Sequence, residues 1–116
     1  MSTPLLVKSE GFLRWLLGAT ARWPKSHRHG LTTRVEGAAV DFVGAVVYAN
    51  RARGRERASA LAAADGHLDI VRILLRVASD LKYLSGRQFE FVARSLEEIG
   101  RLLGGWLRAD GEGSSR

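Results

Sequence analysis

Apolar residues recur along this chain at spacings of three and four, the period of an amphipathic helix, and nowhere alternate as in a strand. Four helical segments follow. The first opens at Thr3-Pro4, where Thr3 can cap and Pro4 suits the first turn. Phe12, Leu16, Ala19 and Trp23 mark its apolar face, and Pro24 stops it. The second is expected from about Ser26 to about Arg51, with Leu31, Val35, Ala38, Phe42, Ala45 and Ala49 on one face. Its other stripe, Gly37, Val40, Gly44 and Val47, has two readings. It admits a close helical neighbour, or its glycines weaken the helix by about 1 kcal/mol each.

The third segment, from about Glu56 to about Tyr83, carries too much apolar surface for one contact. Leu68, Val71, Leu75 and Ala78 form one seam; Ile70, Leu74, Val77 and Leu81 form another, extended by Ile73 and Leu84. At about 100° per residue the two seams cover roughly 220° of the helix. A bundle helix needs little more than about 100°. Either this helix is central, or its second seam meets another chain. A four-helix bundle has no central helix, so Ile70, Ile73, Leu74, Val77 and Leu81 are read as an oligomer interface.

The fourth segment begins at a capping box, Ser85-Gly86-Arg87-Gln88. Phe89, Val92, Leu96, Ile99, Leu103 and Trp106 then keep an a/d rhythm. Phe91 and Leu102 fall off that seam and join the expected oligomer contacts. Asp110 to Arg116 is polar and Gly/Ser-rich, an expected disordered tail behind a domain of residues 1–109. Four helices of roughly 20 residues, each about 30 Å long, with short connections predict an all-α, up-down antiparallel four-helix bundle.

Composition narrows the chemistry. A length of 116 residues suits one domain, and 46% hydrophobic residues exclude a disordered polyelectrolyte. The absence of cysteine removes disulfides, thiolate metal sites and thiol catalysis. No apolar run approaches a signal segment or the roughly 20 residues of a membrane span. A cytoplasmic protein without membrane contact is expected. His27 and His29, two residues apart, point to different sides of a helix and make a poor metal pair. His67, beside the second seam of the third segment, reads as structural. No cofactor and no metal site is expected. With no carboxylate pair, nucleophile elbow or phosphate loop, the chain reads as non-enzymatic.

Charge adds a location. Lys and Arg number 18 against 12 Asp and Glu, a net of +6. Residues 1–58 carry ten of the bases and only four of the acids, and residues 59–116 are neutral. Arg22, Lys25, Arg28 and Arg34 surround the first connection; Arg51, Arg53, Arg55 and Arg57 surround the second, relieved by Glu56. The second cluster has two readings, a loop whose charges favour solubility or a site for phosphate. Arginine makes up 15 of the 18 bases, which suits paired phosphate oxygens. Arg87, Arg94, Arg101 and Arg108 recur every seven residues, but Glu90 and Glu97 stand four before Arg94 and Arg101, so that stripe reads as a self-paired, solvated face. Arg72 and Arg76 are similar, with Asp69 and Asp80 nearby.

Four strings resemble one family: Trp23-Pro-Lys-Ser-His-Arg28; Leu74-Leu-Arg-Val-Ala-Ser-Asp-Leu-Lys82 leading to Leu84-Ser85; Gln88-Phe-Glu90; and Glu98-Ile-Gly-Arg-Leu-Leu-Gly-Gly-Trp106. In this order they are similar to the accessory variability determinant (Avd) proteins of diversity-generating retroelements. These belong to a wider four-helix family that includes proteins encoded in ribosomal RNA intervening sequences. The resemblance runs from about residue 12 to 108. It implies a homopentameric barrel with a positive surface that binds the retroelement's reverse transcriptase and nucleic acid, RNA or an RNA–DNA hybrid, in support of mutagenic retrohoming. It implies no catalytic residue and no cofactor. Lys25, Arg28, Arg76 and Arg72 carry over as basic contacts. His29-Gly30 departs from the family's bulkier residues and would loosen the start of the second helix. The Arg51–Arg57 connection is richer in arginine than the family pattern, and the resemblance assigns it no role. Two other readings remain: a self-assembling structural protein without a nucleic-acid role, and a ribonuclease. The latter rests on Arg22 and His27, whose R-x4-H spacing resembles the motif of helical HEPN ribonucleases.

Overall fold

The computed structural model describes residues 2–114, excluding the side chains of Arg28 and of residues 111–114. Among the described residues there are four α-helices and no strand: α1 (Pro4–Thr20), α2 (Thr33–Arg51), α3 (Gly54–Asp80) and α4 (Gly86–Ser114). α1 packs on α2 and α4, and α3 packs on the same two, so the helices form a square in up-down order. The bundle measures 51 × 25 × 23 Å.

α1 starts as its sequence requires, with the Leu6 amide donating to Thr3 Oγ1 at 3.2 Å and Pro4 in the first turn. It ends at Thr20 rather than running to Trp23. Pro24 would clash with the carbonyl four residues back and disfavours helical geometry at the residue before it. Trp23 is nevertheless buried. The Thr20 hydroxyl donates to the Glu36 carboxylate at 2.6 Å, tying the end of α1 to α2.

The second helix starts later than expected. Lys25–His27 form a 3-10 turn and Arg28–Thr32 a π-type turn, kinked at Gly30 (φ −110, ψ −108), and regular α2 begins at Thr33. Its buried face is Val35, Ala39, Phe42, Val46 and Ala49, while Leu31, Ala38 and Ala45 are half-buried at the edge. The two rhythms share Val35, Phe42 and Ala49; between them, the bulkier Val46 takes the centre. Gly37, Val40, Gly44 and Val47 are exposed, and a Cβ on either glycine would meet open space. Among the described residues no other helix lies within 4 Å of a Cβ at either glycine.

Only Ala52 and Arg53 join α2 to α3, both extended, and Gly54 supplies a left-handed φ of +57 that lets the chain reverse in so few residues. α3 thus begins two residues before the expected start. It ends in a Schellman turn at Asp80, three residues before the expected end. The Tyr83 amide donates to Ala78 at 2.9 Å and the Lys82 amide to Ser79 at 3.0 Å, with Lys82 left-handed at φ 69. Leu68, Val71, Leu75 and Ala78 are buried as expected; Leu84, assigned to the second seam, is buried as well.

The capping box of α4 forms in both directions: Ser85 N–H to Gln88 Oε1 at 2.9 Å, and Gln88 N–H to Ser85 Oγ at 3.1 Å. Val92, Leu96, Ile99 and Leu103 fill the core, with Phe89 and Trp106 half-buried beside them. Helix α4 continues to Ser114, into the segment expected to be disordered. No proline interrupts the chain there, so the helix propagates from the turns before it. Ser115 and Arg116 lie outside the described residues.

Candidate nucleic-acid interface

The antiparallel order places the two basic connections at opposite ends of the bundle. At the first end, Arg22, Lys25 and Arg34 are exposed. The Arg28 side chain, an expected contact here, lies outside the described residues. This corner is held by hydrogen bonds from the amides of Arg22, Trp23 and His27 to Ala19, Thr20 and Pro24 at 3.0–3.1 Å. The Tyr83 ring packs against Trp23 and His27, with centroids 5.6 and 5.4 Å away. Arg22 and His27, the pair with R-x4-H spacing, therefore sit on a surface corner beside Tyr83.

At the second end the four arginines separate into two kinds. Arg51, Arg53 and Arg55 are exposed. Arg57 is half-buried: its Nε donates to the Ala49 carbonyl at 3.1 Å, and its guanidinium lies 5.1 Å from the centre of the Trp106 ring. This cation–π contact braces the α2–α3 turn against α4. Arg57, grouped by sequence with the phosphate contacts, is thus engaged by the fold. Nothing in the local sequence signals this, because Trp106 lies far away along the chain. Tyr48 donates to the Glu56 carboxylate at 3.4 Å, which draws the lone acid of the turn toward α2. Among the described residues, Arg22, Lys25, Arg51, Arg53 and Arg55 have no ion pair.

Arg72 and Arg76 line a groove between α3 and α4 with Leu75, Phe89, Val92, Ala93, Leu96 and Glu97. Arg76 is exposed. Arg72 is not a free charge. Its Nη1 is 3.5 Å from Asp69 and its Nη2 donates to the Leu96 carbonyl at 3.2 Å. Gly100 makes room for it: a Cβ there would fall on Nη2. Sequence placed Gly100 in a motif but gave no hint that it accommodates an arginine from another helix. On α4 the expected pairs form, Glu90 with Arg94 at 2.7 Å and Glu97 with Arg101 at 3.2 Å. All four side chains are well exposed, so each pair contributes little.

Ile70, Ile73, Val77 and Leu81 are 40–56% exposed along α3. Val40 and Val47 of α2 are exposed too, on the stripe of Glu36, the flank that faces α1. Leu74 and Leu102, also expected at an oligomer interface, are half-buried against the core. Phe91 is 54% exposed, 5.5 Å from Trp15 and near Val7 in a groove between α1 and α4. Apolar surface is therefore exposed at two separate places, the outer side of α3 and the α1–α4 groove. Among the described residues no cluster of His, Asp or Glu is arranged to hold a metal ion, and no helix is long and apolar enough to cross a membrane.

No curated protein matches the chain. A family model described as bAvd-like matches residues 5–109, from the first turn of α1 to near the end of α4. The chain belongs to this family, the accessory variability determinant proteins of diversity-generating retroelements.

Proposed function

We propose that this protein is a non-catalytic, cytoplasmic accessory factor that binds the reverse transcriptase of its retroelement and the nucleic acid that enzyme copies, RNA or an RNA–DNA hybrid, in support of mutagenic retrohoming. The observation that carries this reading is the set of exposed arginines and lysine without acidic partners at the two ends of the bundle. Exposed charges without internal neutralisation are available to phosphate, and binding releases the counterions condensed on the strand. Arg76 adds charge in the α3–α4 groove.

Assembly multiplies that charge. The exposed seam of α3 and the apolar groove between α1 and α4 are different patches of one chain. Two different patches that fit each other give head-to-tail contacts, which close into a ring when the rotation permits. The ring is a homopentamer, a number drawn from family membership. Five copies of a +6 chain then present one field instead of scattered patches.

The test is fluorescence anisotropy with RNA and with an RNA–DNA hybrid over a range of salt, alongside light scattering and co-purification with the reverse transcriptase. Affinity falls steeply with salt, with a log–log slope of about −0.7 to −0.9 for each phosphate contact. Arg51→Ala combined with Arg53→Ala and Arg55→Ala flattens that slope and leaves the fold intact. Ile73→Asp disperses the oligomer. Salt-independent binding would refute the electrostatic mechanism. An oligomer that binds neither nucleic acid nor the enzyme would instead support a self-assembling structural protein.

A further inference from the structure

The first end of the bundle holds more than charge. Tyr83 is fixed from its own side, because the Schellman turn bonds its amide to Ala78 at 2.9 Å and the left-handed Lys82 turns the chain back toward the α1–α2 connection. Trp23 packs against the Tyr83 ring at 5.6 Å and 48°. The His27 ring packs on it too, at 5.4 Å and 51°, its backbone held by a bond from the His27 amide to Pro24 at 3.1 Å. Trp23 and Leu84 are buried and already close this end of the core. His27 is exposed and adds little to that closure. It is a planar ring packed at the surface against a neighbouring ring.

The surroundings are cationic. Arg22, Lys25 and Lys82 are exposed here; the acids at this end are Asp80 and Glu36, the latter half-buried and accepting from the Thr20 hydroxyl at 2.6 Å. A rigid aromatic surface flanked by phosphate-binding cations is the chemistry that recognises a nucleotide in a single strand. Every base offers a π-face, and the phosphates beside it meet the cations. A duplex stacks its bases internally and offers none to a ring at the end of a bundle.

We propose that this corner is a stacking site for an unpaired nucleobase of single-stranded RNA, with His27 as the contacting ring, Tyr83 and Trp23 as its support, and Arg22 and Lys25 on the flanking phosphates. The site rests on the nucleic-acid reading above and sharpens it: the protein grips a strand by base stacking as well as by charge. It also gives Arg22 and His27 a joint purpose that involves no bond cleavage.

The experiment compares a short single-stranded RNA, a duplex of the same length and an abasic strand, by anisotropy at one salt concentration, for the full chain and for His27→Ala, His27→Tyr and Lys25→Ala. His27→Ala lowers affinity for the single strand by about 5- to 100-fold, the range for losing one base–aromatic stack. It leaves the duplex and the abasic strand unchanged. His27→Tyr restores binding, which a residue acting through imidazole proton transfer would not allow. Lys25→Ala weakens every probe and reduces the salt slope by about one contact. Equal effects of His27→Ala on single strand and duplex, no effect on either, or failure of tyrosine to rescue would overturn the stacking site while leaving charge-based binding intact. Failure of the unaltered protein to bind any probe would overturn both proposals.

Discussion

Replacing Gly100 by alanine tests how α3 and α4 are joined. In an open helix interior the change is favourable by about 1 kcal/mol, since alanine loses less backbone entropy and shields the backbone better. At this site the new Cβ would fall on Nη2 of Arg72, the atom that donates to the Leu96 carbonyl at 3.2 Å. Leu68 Cδ2, at 3.8 Å, is an ordinary neighbour. The guanidinium is the far end of a flexible side chain, so it swings away and its bond to α4 is lost. A hydrogen bond from a charged donor is worth about 1.5–3 kcal/mol, and this one falls at the lower end because the Arg72 side chain is 38% exposed. The expected outcome is a cycle. Gly100→Ala alone leaves stability unchanged or slightly reduced. In an Arg72→Ala background the same change stabilises by about 1 kcal/mol, and the coupling between the sites is about 1.5 kcal/mol. Urea denaturation followed by helical circular dichroism reads all four proteins, at one protein concentration so that assembly does not shift the comparison. Equal stabilisation by Gly100→Ala in both backgrounds would refute the role given to Arg72.

Other substitutions report on single contacts. Lys82→Gly relieves a left-handed conformation that costs a side-chain-bearing residue about 1–2 kcal/mol; after glycine's greater loss of chain entropy, a gain of about 0.5–1 kcal/mol remains. Lys82→Ala, which keeps the Cβ, gives no such gain in the denaturation midpoint. Ser9 is buried and its Oγ has no partner among the described residues, so Ser9→Ala raises stability by about 1 kcal/mol through removal of that group and better helix propensity. A loss of stability in the melting curve would show that Ser9 has a partner. Thr20→Val keeps shape but removes the 2.6 Å bond to Glu36, at a cost of about 2 kcal/mol. Glu36→Gln, which retains an acceptor, falls between it and the unaltered protein in a thermal melt.

The fold was legible where the signal is local and periodic. The seams of α3 and α4, the caps at Thr3 and Ser85 and the Glu–Arg pairs of α4 are contacts within a few residues, set by the helix period. The same arithmetic marked Ile70, Ile73, Val77 and Leu81 as surplus to one core. It failed at helix ends, where backbone preference at Pro24 and Gly30 competes with continuing periodicity. It could not rank the basic residues, because sequence counts a charge without knowing what it touches.

Sequence by itself determined four amphipathic helices, their up-down order, family membership and the confinement of all excess charge to the first half. The helices follow from spacing, the order from short connections, the charge from composition, and the family from the resemblance of four short strings. Tertiary structure alone decided which charges are free. It turned Arg57 into a brace on Trp106 and Arg72 into a tie to α4 that Gly100 accommodates, while leaving Arg22, Lys25, Arg51, Arg53 and Arg55 open to solvent. It also brought Trp23, His27 and Tyr83 into one corner. Those contacts join residues tens of positions apart, and only the packing of one helix on another determines which side chains meet.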